Sequence, residues 1–206
     1  MTKEGFLFPL PFFVLAGIFF YFFNRFFIFP LLYSSALLFF LGLSVMLFFR
    51  DPARKAPAGE KLILSPADGR VIKRDIDAAR PSISIFLSIF NVHVTRSPVT
   101  GSIKSVVFHK GKFFKAYKDR AERENQRNEI EIETESGLVH LHQVTGAIAR
   151  RTIFDPKPGQ VMRAGAKVGL IRFGSRVDLI LPPGSTIAVK ERQKVVGGVT
   201  ILGRLP

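Results

Sequence analysis

Two long uncharged apolar runs at the start of the chain constrain its fold more than any other feature. Residues 5–23 and 26–49 contain no charged side chain, and only Asn24 and Arg25 separate them. Each run has the roughly 20 residues that a helix needs to cross a bilayer core of about 30 Å. The sequence therefore predicts a membrane-associated helical hairpin over residues 1–49.

The charges that flank these runs favour one orientation. Because an Arg at mid-bilayer costs roughly 2.5–3.5 kcal/mol on insertion scales, we expect Arg25 at the hairpin turn, near a headgroup layer. Lys3, Arg50 and Arg54 are positive flanks of the kind that stay in the cytoplasm. We therefore expect the hairpin at the cytoplasmic face of the cell membrane. Prolines in both runs leave two forms open, two full crossings or a shallow re-entrant hairpin.

The pattern changes after a polar linker at residues 50–61. From residue 62 onward, short β-branched or alternating runs are separated by turn sequences such as Pro182-Pro183-Gly184. Strands at this spacing are typical of an all-β sandwich or barrel. The predicted fold class is mainly β, a sandwich or barrel-like domain over residues 62–206 behind the helical hairpin. The predicted strands are 62–65, 69–74, 82–90, 101–109, 128–134, 138–144, 168–173, 177–181 and 185–190; residues 115–127 are predicted as a helix or a solvated loop.

The charge of the chain narrows the classes of partner. The net charge is +14, of which residues 1–49 contribute only +1. A basic domain binds either nucleic acid or anionic lipid, and the neighbouring apolar hairpin favours lipid. A basic helix or an RNP-like aromatic strand is missing from the sequence, so no nucleic-acid partner is expected. The chain has no Cys, which excludes disulfides, thiolate nucleophiles and Cys-ligated metals.

Three polar segments could carry chemistry, although each has an ordinary structural interpretation. Residues 65–70 form a turn sequence, and His93 stands at the end of an apolar strand. The Gly174-Ser175 pair between two strands is normally a bulge or a tight turn. His140 and His142 would share a strand face, but no third ligand accompanies them, so no metal site is expected.

Together these segments resemble the phosphatidylserine decarboxylase proenzyme family in its short form. The R-F-G-S-R-V-D element is the most specific part of the resemblance, and the apolar hairpin also fits the short form. The matching stretches follow the family's order across residues 62–206 and are S-P-A-D-G-R-V (65–71), F-N-V-H-V-T-R-S-P-V-T-G (90–101), N-E-I-E-I-E-T (128–134), Q-V-T-G-A-I-A-R-R (143–151) and G-L-I-R-F-G-S-R-V-D-L-I-L-P (169–182).

The resemblance implies an enzyme that cleaves its own Gly174–Ser175 bond. Cleavage would give a β chain of residues 1–174 and an α chain of residues 175–206, with Ser175 converted to a pyruvoyl group. That cofactor would form a Schiff base with the serine amine of phosphatidylserine and release CO2, giving phosphatidylethanolamine. A homodimer of αβ units is also expected from the family. Archaetidylserine, which has the same headgroup, is a close variant of the substrate.

The resemblance also implies roles for particular residues. Asp68 matches the acidic residue that self-processing needs, and His93 matches a His that assists decarboxylation or reprotonation. The longer form of the family has a second His, the base for processing, where this chain has Arg96. Either His93 serves both steps or Asp68 acts with another partner. The candidate contacts for lipid phosphate or carboxylate, with surface charge near an anionic membrane as the alternative, are Arg96, Arg150, Arg151 and Arg176.

A non-enzymatic alternative is a membrane-anchored, lipoyl-like β module. The glycine-punctuated strands of residues 159–190 resemble such sandwiches. A carrier of that type needs a Lys at an exposed hairpin tip, in a Met-Lys-Met or Asp-Lys-Ala setting. The sequence contains neither setting, which favours the enzyme.

Overall fold

The helices and strands were located in a computed structural model of the protein. It describes residues 2–77, 79–147, 151–172 and 175–206, with the backbone alone at positions 119, 151 and 172. The chain divides into two compact units, Met1–Pro52 and Ala53–Pro206. The helices are α1 (Glu4–Leu7), α2 (Leu10–Phe26), α3 (Phe29–Phe48) and α4 (Asp119–Glu124). The strands are β1 (Leu62–Leu64), β2 (Gly69–Asp75), β3 (Ser82–Leu87), β4 (Val94–Arg96), β5 (Gly101–His109), β6 (Arg127–Thr134), β7 (Gly137–Val144), β8 (Arg151–Phe154), β9 (Val161–Met162), β10 (Lys167–Arg172), β11 (Ser175–Ile180), β12 (Thr186–Ile187), β13 (Lys194–Val195) and β14 (Ile201–Arg204).

The first unit is the predicted apolar helical hairpin. The chain leaves α2 at Phe27, whose φ of 53° ends the helix. Within the hairpin, the Ser35 hydroxyl donates to the Ala16 carbonyl oxygen at 2.8 Å. The outer ends meet where the Thr2 amide donates to the Phe49 carbonyl oxygen at 3.3 Å. Both arms are long and apolar enough to cross a membrane, by length and composition.

The prolines of the hairpin lie where a helix accepts them. Pro9 immediately precedes α2, and Pro11 and Pro30 fall in the first turns of α2 and α3. The amides of a first helical turn have no intrahelical acceptor, so a proline there breaks no hydrogen bond. The two arms are therefore regular helices despite their prolines.

The second unit is built from antiparallel sheets, which confirms the predicted mainly β fold. Eight strands form the main sheet in the order β13-β2-β3-β11-β7-β6-β5-β9. Two three-stranded sheets, β1-β14-β12 and β4-β10-β8, complete the unit. One cluster of buried apolar side chains draws members from all three sheets, so the core fills the space between them. On β11, Val177 and Leu179 face this core, and Arg176 and Asp178 face the other way.

The connections that frame the candidate site leave the main sheet at one end. Ser175, the first residue of β11, lies opposite Leu87, the last residue of β3. The next row runs through Arg176 of β11, Val144 of β7 and Arg127 of β6. The connections after β3 and β5 therefore leave the sheet at the end where β11 begins.

Candidate active site

The chain crosses from one sheet to another between β10 and β11. β10 runs between β4 and β8 and ends at Arg172, whereas β11 begins at Ser175 between β3 and β7. Phe173 and Gly174 lie outside the described residues. The predicted scissile bond thus falls at the crossing between the two sheets.

Ser175 has a buried hydroxyl that the described residues leave unpaired. Its side chain is 0% exposed, and among these residues Oγ has no hydrogen-bond partner. Leaving a buried hydroxyl unpaired costs roughly 1–3 kcal/mol. Such groups are rare in native proteins and call for an explanation, for which a nucleophile is one candidate.

His93 reaches the same crossing from the start of β4. Its carbonyl oxygen accepts a hydrogen bond from the amide of Ile171, four residues before Ser175 in the chain, at 3.1 Å. The imidazole is fully buried, and its Nδ1 lies 2.9 Å from the Asn91 carbonyl oxygen. Because a carbonyl oxygen can only accept, Nδ1 carries the proton. In the neutral ring Nε2 then has the lone pair, which is the form that can take a proton.

Two residues that the sequence analysis did not single out also belong to this region. The side-chain oxygen of Asn91 accepts from the amide and the hydroxyl of Ser88, at 2.9 and 2.8 Å, and so fixes the loop before His93. Thr152, opposite Ile171 in the β8–β10 pair, has a second buried hydroxyl without a partner among the described residues. Asn91 lies within a stretch that carries the family resemblance, whereas no sequence signal marks Thr152.

Asp68 lies in a separate, firmly held cluster. Its carboxylate forms an ion pair with Arg54, whose Nη2 is 2.7 Å from Oδ2. The other oxygen, Oδ1, also accepts from the Gly197 amide at 2.8 Å. Since β3 separates β2 from β11, a strand spacing of roughly 4.8 Å places the start of β2 about 10 Å from Ser175. Arg54 comes from the predicted linker, where nothing in the sequence distinguishes it.

Arg96, at the position of the second His of the longer form, borders the Asp68 cluster. Its Nη1 donates to the Gly165 carbonyl oxygen at 3.2 Å, and its Cδ packs against Gly198. The neighbouring Thr95 hydroxyl accepts from Gln143, a buried residue on the core side of β7, at 3.1 Å. Successive strand residues face opposite sides, so Arg96 points away from the space that Ser175 faces.

Arg176 lies on the opposite face of β11 from Ser175 and is 1% exposed. Its Nε donates to Asp178 Oδ1 at 2.5 Å, and its Nη2 donates to Ser84 Oγ and Glu122 Oε2, both at 2.8 Å. Burial raises the pKa of Asp178, and the Arg176 guanidinium offsets this only in part. These contacts pack β11 against β3 and α4, while the lipid contact suggested for Arg176 stays a prediction.

No side-chain position is described for Arg150 and Arg151, the other two arginines that the sequence suggested as lipid contacts. Arg150 lies outside the described residues. Arg151 begins β8 and pairs through its backbone with Arg172 of β10. Their suggested contacts with lipid also stay predictions.

His140 and His142 lie on the same face of β7, turned away from Ser175. His142 is in register with Asp178 on β11, and His140 Nδ1 is 3.8 Å from a Glu131 carboxylate oxygen. Burial lowers the pKa of both histidines. Among the described residues, no group of three His, Asp or Glu side chains could hold a metal ion.

Most of this chain is similar in sequence to known proteins. The family model for phosphatidylserine decarboxylase matches residues 41–203. A phosphatidylserine decarboxylase proenzyme from Chlorobaculum tepidum is 42% identical over 168 residues, which cover 79% of this chain and 78% of that protein. The proenzyme of the same name from Citrifermentans bemidjiense is 42% identical over 179 residues, covering 84% and 82%. These matches confirm the resemblance seen in the motifs: the chain belongs to the phosphatidylserine decarboxylase family.

Proposed function

We propose that the chain is a membrane-associated phosphatidylserine decarboxylase, made as a proenzyme that cleaves its own Gly174–Ser175 bond. One observation carries this proposal: the Ser175 hydroxyl is fully buried and unpaired among the described residues, at the crossing between two sheets. The names of the relatives favour this carboxy-lyase over the lipoyl-like module. The products would be phosphatidylethanolamine and CO2.

His93 is the base that we assign to Ser175. Its Nε2 takes the hydroxyl proton as Oγ attacks the carbonyl carbon of Gly174. The proton passes to the Ser175 nitrogen as the peptide C–N bond breaks, which leaves an ester between Gly174 and Oγ. Loss of the Ser175 Cα proton then breaks the Cβ–Oγ bond and releases the β chain with a C-terminal carboxylate. Water replaces the nitrogen of residue 175, ammonia departs, and the residue ends as a pyruvoyl group.

The described residues fit that cofactor. Ser175 is its source, and its full burial keeps bulk water from the reacting carbon. The pyruvoyl group supplies an electron sink for the pair left behind when CO2 departs. His93 keeps Nδ1 bonded to Asn91, so Nε2 is the atom that holds and returns the proton. The same side chain thus serves processing and turnover.

Asp68 acts in this proposal as a positioning residue. Both carboxylate oxygens are engaged by Arg54 and one of them also by the Gly197 amide, which ties the turn before β2 to the turn after β13. The Arg96 amide donates to the Pro66 carbonyl oxygen at 2.8 Å, so this turn also supports β4. Asp68 would therefore assist cleavage by holding the strand that follows His93.

The strand pairing would keep the two chains together after the proposed cleavage. The α chain would begin with β11, which is hydrogen bonded to β3 on one side and β7 on the other, both from the β chain. It would also contribute β14, which pairs with β1. We propose that the αβ unit stays folded, tethered at the cytoplasmic face by the hairpin, and forms a homodimer.

Mass spectrometry of the purified protein tests the cleavage. The wild-type chain should yield a 32-residue fragment spanning 175–206 with a pyruvoyl N-terminus. Ser175→Ala should stay a single chain and should not decarboxylate phosphatidylserine. An intact, unmodified wild-type chain that still decarboxylated the lipid would refute the mechanism.

His93→Asn tests the base separately. The amide nitrogen of Asn can keep the hydrogen bond to the Asn91 carbonyl oxygen, but Asn has no basic Nε2. Cleavage should slow by roughly 10²- to 10⁴-fold, the usual contribution of a general base. His140→Asn is the matched control, because His140 lies on the sheet face turned away from Ser175. Cleavage of His93→Asn at the control's rate would show that His93 is only structural.

A further inference from the structure

Exposed aromatic side chains gather at the end of the main sheet where β11 begins. In the described part of the second unit, the exposed aromatic residues are Phe90, Phe108, Phe113 and Tyr117. Phe90 is 80% exposed in the loop after β3, and the exposed Ile89 precedes it. We propose that these five residues form a docking surface that lays the catalytic unit on an anionic phospholipid bilayer. This inference rests on the proposed function, whose substrate is a membrane lipid.

The docking surface lies at the end of the main sheet that holds Ser175, and the connection between β5 and β6 packs on the sheet face opposite to the one that Ser175 faces. The Tyr117 ring is 6.2 Å from the Phe86 ring, centroid to centroid, and Phe86 lies opposite Arg176 on β11. Glu122, five residues after Tyr117, bonds to Arg176 at 2.8 Å. The connection between β5 and β6 therefore contacts the two strands that pair at Ser175. A bilayer touching this surface would bring lipid headgroups to the end of the sheet that holds Ser175.

The charge of this connection complements an anionic surface. Residues 110–126 contain six Lys or Arg and three Asp or Glu. Two of the acids are already engaged, Glu122 with Arg176 and Glu124 with Lys112. Basic side chains beside exposed aromatic rings are typical of segments that lie in a membrane interface. The same excess of positive charge would repel a second copy of this surface, which argues against a homodimer contact here.

The connection is held in place by specific hydrogen bonds. Asn125 accepts from the Phe114 amide and donates to the Phe114 carbonyl oxygen, both at 2.8 Å, and donates to the Thr145 carbonyl oxygen at 2.7 Å. The Lys112 amide donates to the Glu124 carbonyl oxygen at 2.7 Å. The segment therefore exposes the rings of Phe113 and Tyr117 while its backbone is held in place, and exposed apolar patches are typical of interaction sites.

The absence of Trp from the chain allows a direct test. Phe90→Trp and Phe113→Trp each place a single fluorophore on the docking surface of the full chain. Val161→Trp is the matched control, because Val161 is 70% exposed and pairs with β5 at the opposite end of the sheet. The proteins are reconstituted into phosphatidylcholine–phosphatidylglycerol vesicles, with and without brominated acyl chains. We expect a blue shift and strong quenching by bromine at positions 90 and 113, and neither at position 161.

Cleavage is measured on the same samples, and decarboxylation is measured after phosphatidylserine is added to the vesicles. If the protein cleaves and decarboxylates while the Trp residues at 90 and 113 stay in water, the docking surface is wrong and the proposed function stands. If they insert but the chain neither cleaves nor decarboxylates, the proposed function is wrong and the docking surface stands. A blue shift that occurs equally in lipid-free detergent and grows with protein concentration would identify a second copy as the occupant and overturn the proposal.

Discussion

Replacing Arg176 should destabilise the β-rich unit, because the Asp178 carboxylate would stay buried without its cation. The Glu122 side chain is 38% exposed, so water can replace its bond to Arg176. Asp178 is 3% exposed, and its Oδ2 already has no hydrogen-bond partner among the described residues. Arg176→Met would leave this carboxyl buried without its cation, and breaking a buried pair from one side costs about 3–5 kcal/mol.

A double variant separates the charge from the packing. In Arg176→Met/Asp178→Leu, both polar groups are replaced by apolar side chains of similar size, which is often neutral for a buried pair. We expect the double variant to regain most of the stability that the single variant loses. All variants carry Ser175→Ala, so that every chain stays uncleaved during the measurement.

The free energy of unfolding is measured by urea denaturation in detergent, followed by the circular dichroism of the β-rich unit. The pH dependence provides a second readout, because burial raises the pKa of Asp178. A raised pKa contributes stability that is present below the unfolded value of 3.8 and is lost as the pH rises through the folded value. The decrease in the free energy of unfolding caused by Arg176→Met should therefore become larger as the pH rises. A cost below about 1 kcal/mol, or a double variant no more stable than the single one, would refute the buried-pair argument.

Two further predictions concern the Asp68 cluster and the histidines of β7. Arg54→Met should lower the free energy of unfolding by about 1.5–3 kcal/mol, the range for a hydrogen bond to a charged group, and should slow cleavage on a gel time course; Lys55→Met is its control. An Arg54 variant that cleaves at the control's rate would show that the ion pair between Arg54 and Asp68 does not contribute to processing. Burial lowers the pKa of His142, so below its unfolded value of 6.5 the unfolded chain binds a proton that the folded chain does not, and stability falls as the pH falls. His142→Gln should reduce that loss in urea titrations at about pH 7 and about pH 5, and an unchanged loss would contradict this assignment.

The sequence predicted regular elements well where the pattern is long or alternating. The uncharged runs became α2 and α3, and alternation in residues 128–134 and 138–144 matches β6 and β7. The strand predicted over residues 82–90 ends instead at Leu87, because the Asn91 side chain accepts from the amide and hydroxyl of Ser88 and turns the chain. A side chain that caps a loop three residues away is invisible to a hydrophobic pattern.

The candidate site could be predicted only through the family resemblance. The local pattern predicts a bulge or turn at Gly174-Ser175, whereas Ser175 is the first residue of a central strand of the main sheet. Arg54 reaches Asp68 across 14 residues, and Thr152 becomes relevant only because β8 pairs with β10. Contacts of this kind depend on tertiary structure, which no spacing along the chain records.

The replacement of a second His by Arg96 would limit how the proposed processing could activate Ser175. Arg96 and Thr95 are neighbours on one strand, and Thr95 faces the inner side of the main sheet through its bond to Gln143. A residue at position 96 therefore points away from the space that Ser175 faces, whether it is Arg or His. Asp68 is engaged by Arg54 and lies two strands from Ser175. Among the groups that the resemblance offers as a base, only His93 is buried at the crossing. The hydrogen bond from its Nδ1 to the Asn91 carbonyl oxygen also fixes the ring in the form whose Nε2 lone pair can take a proton.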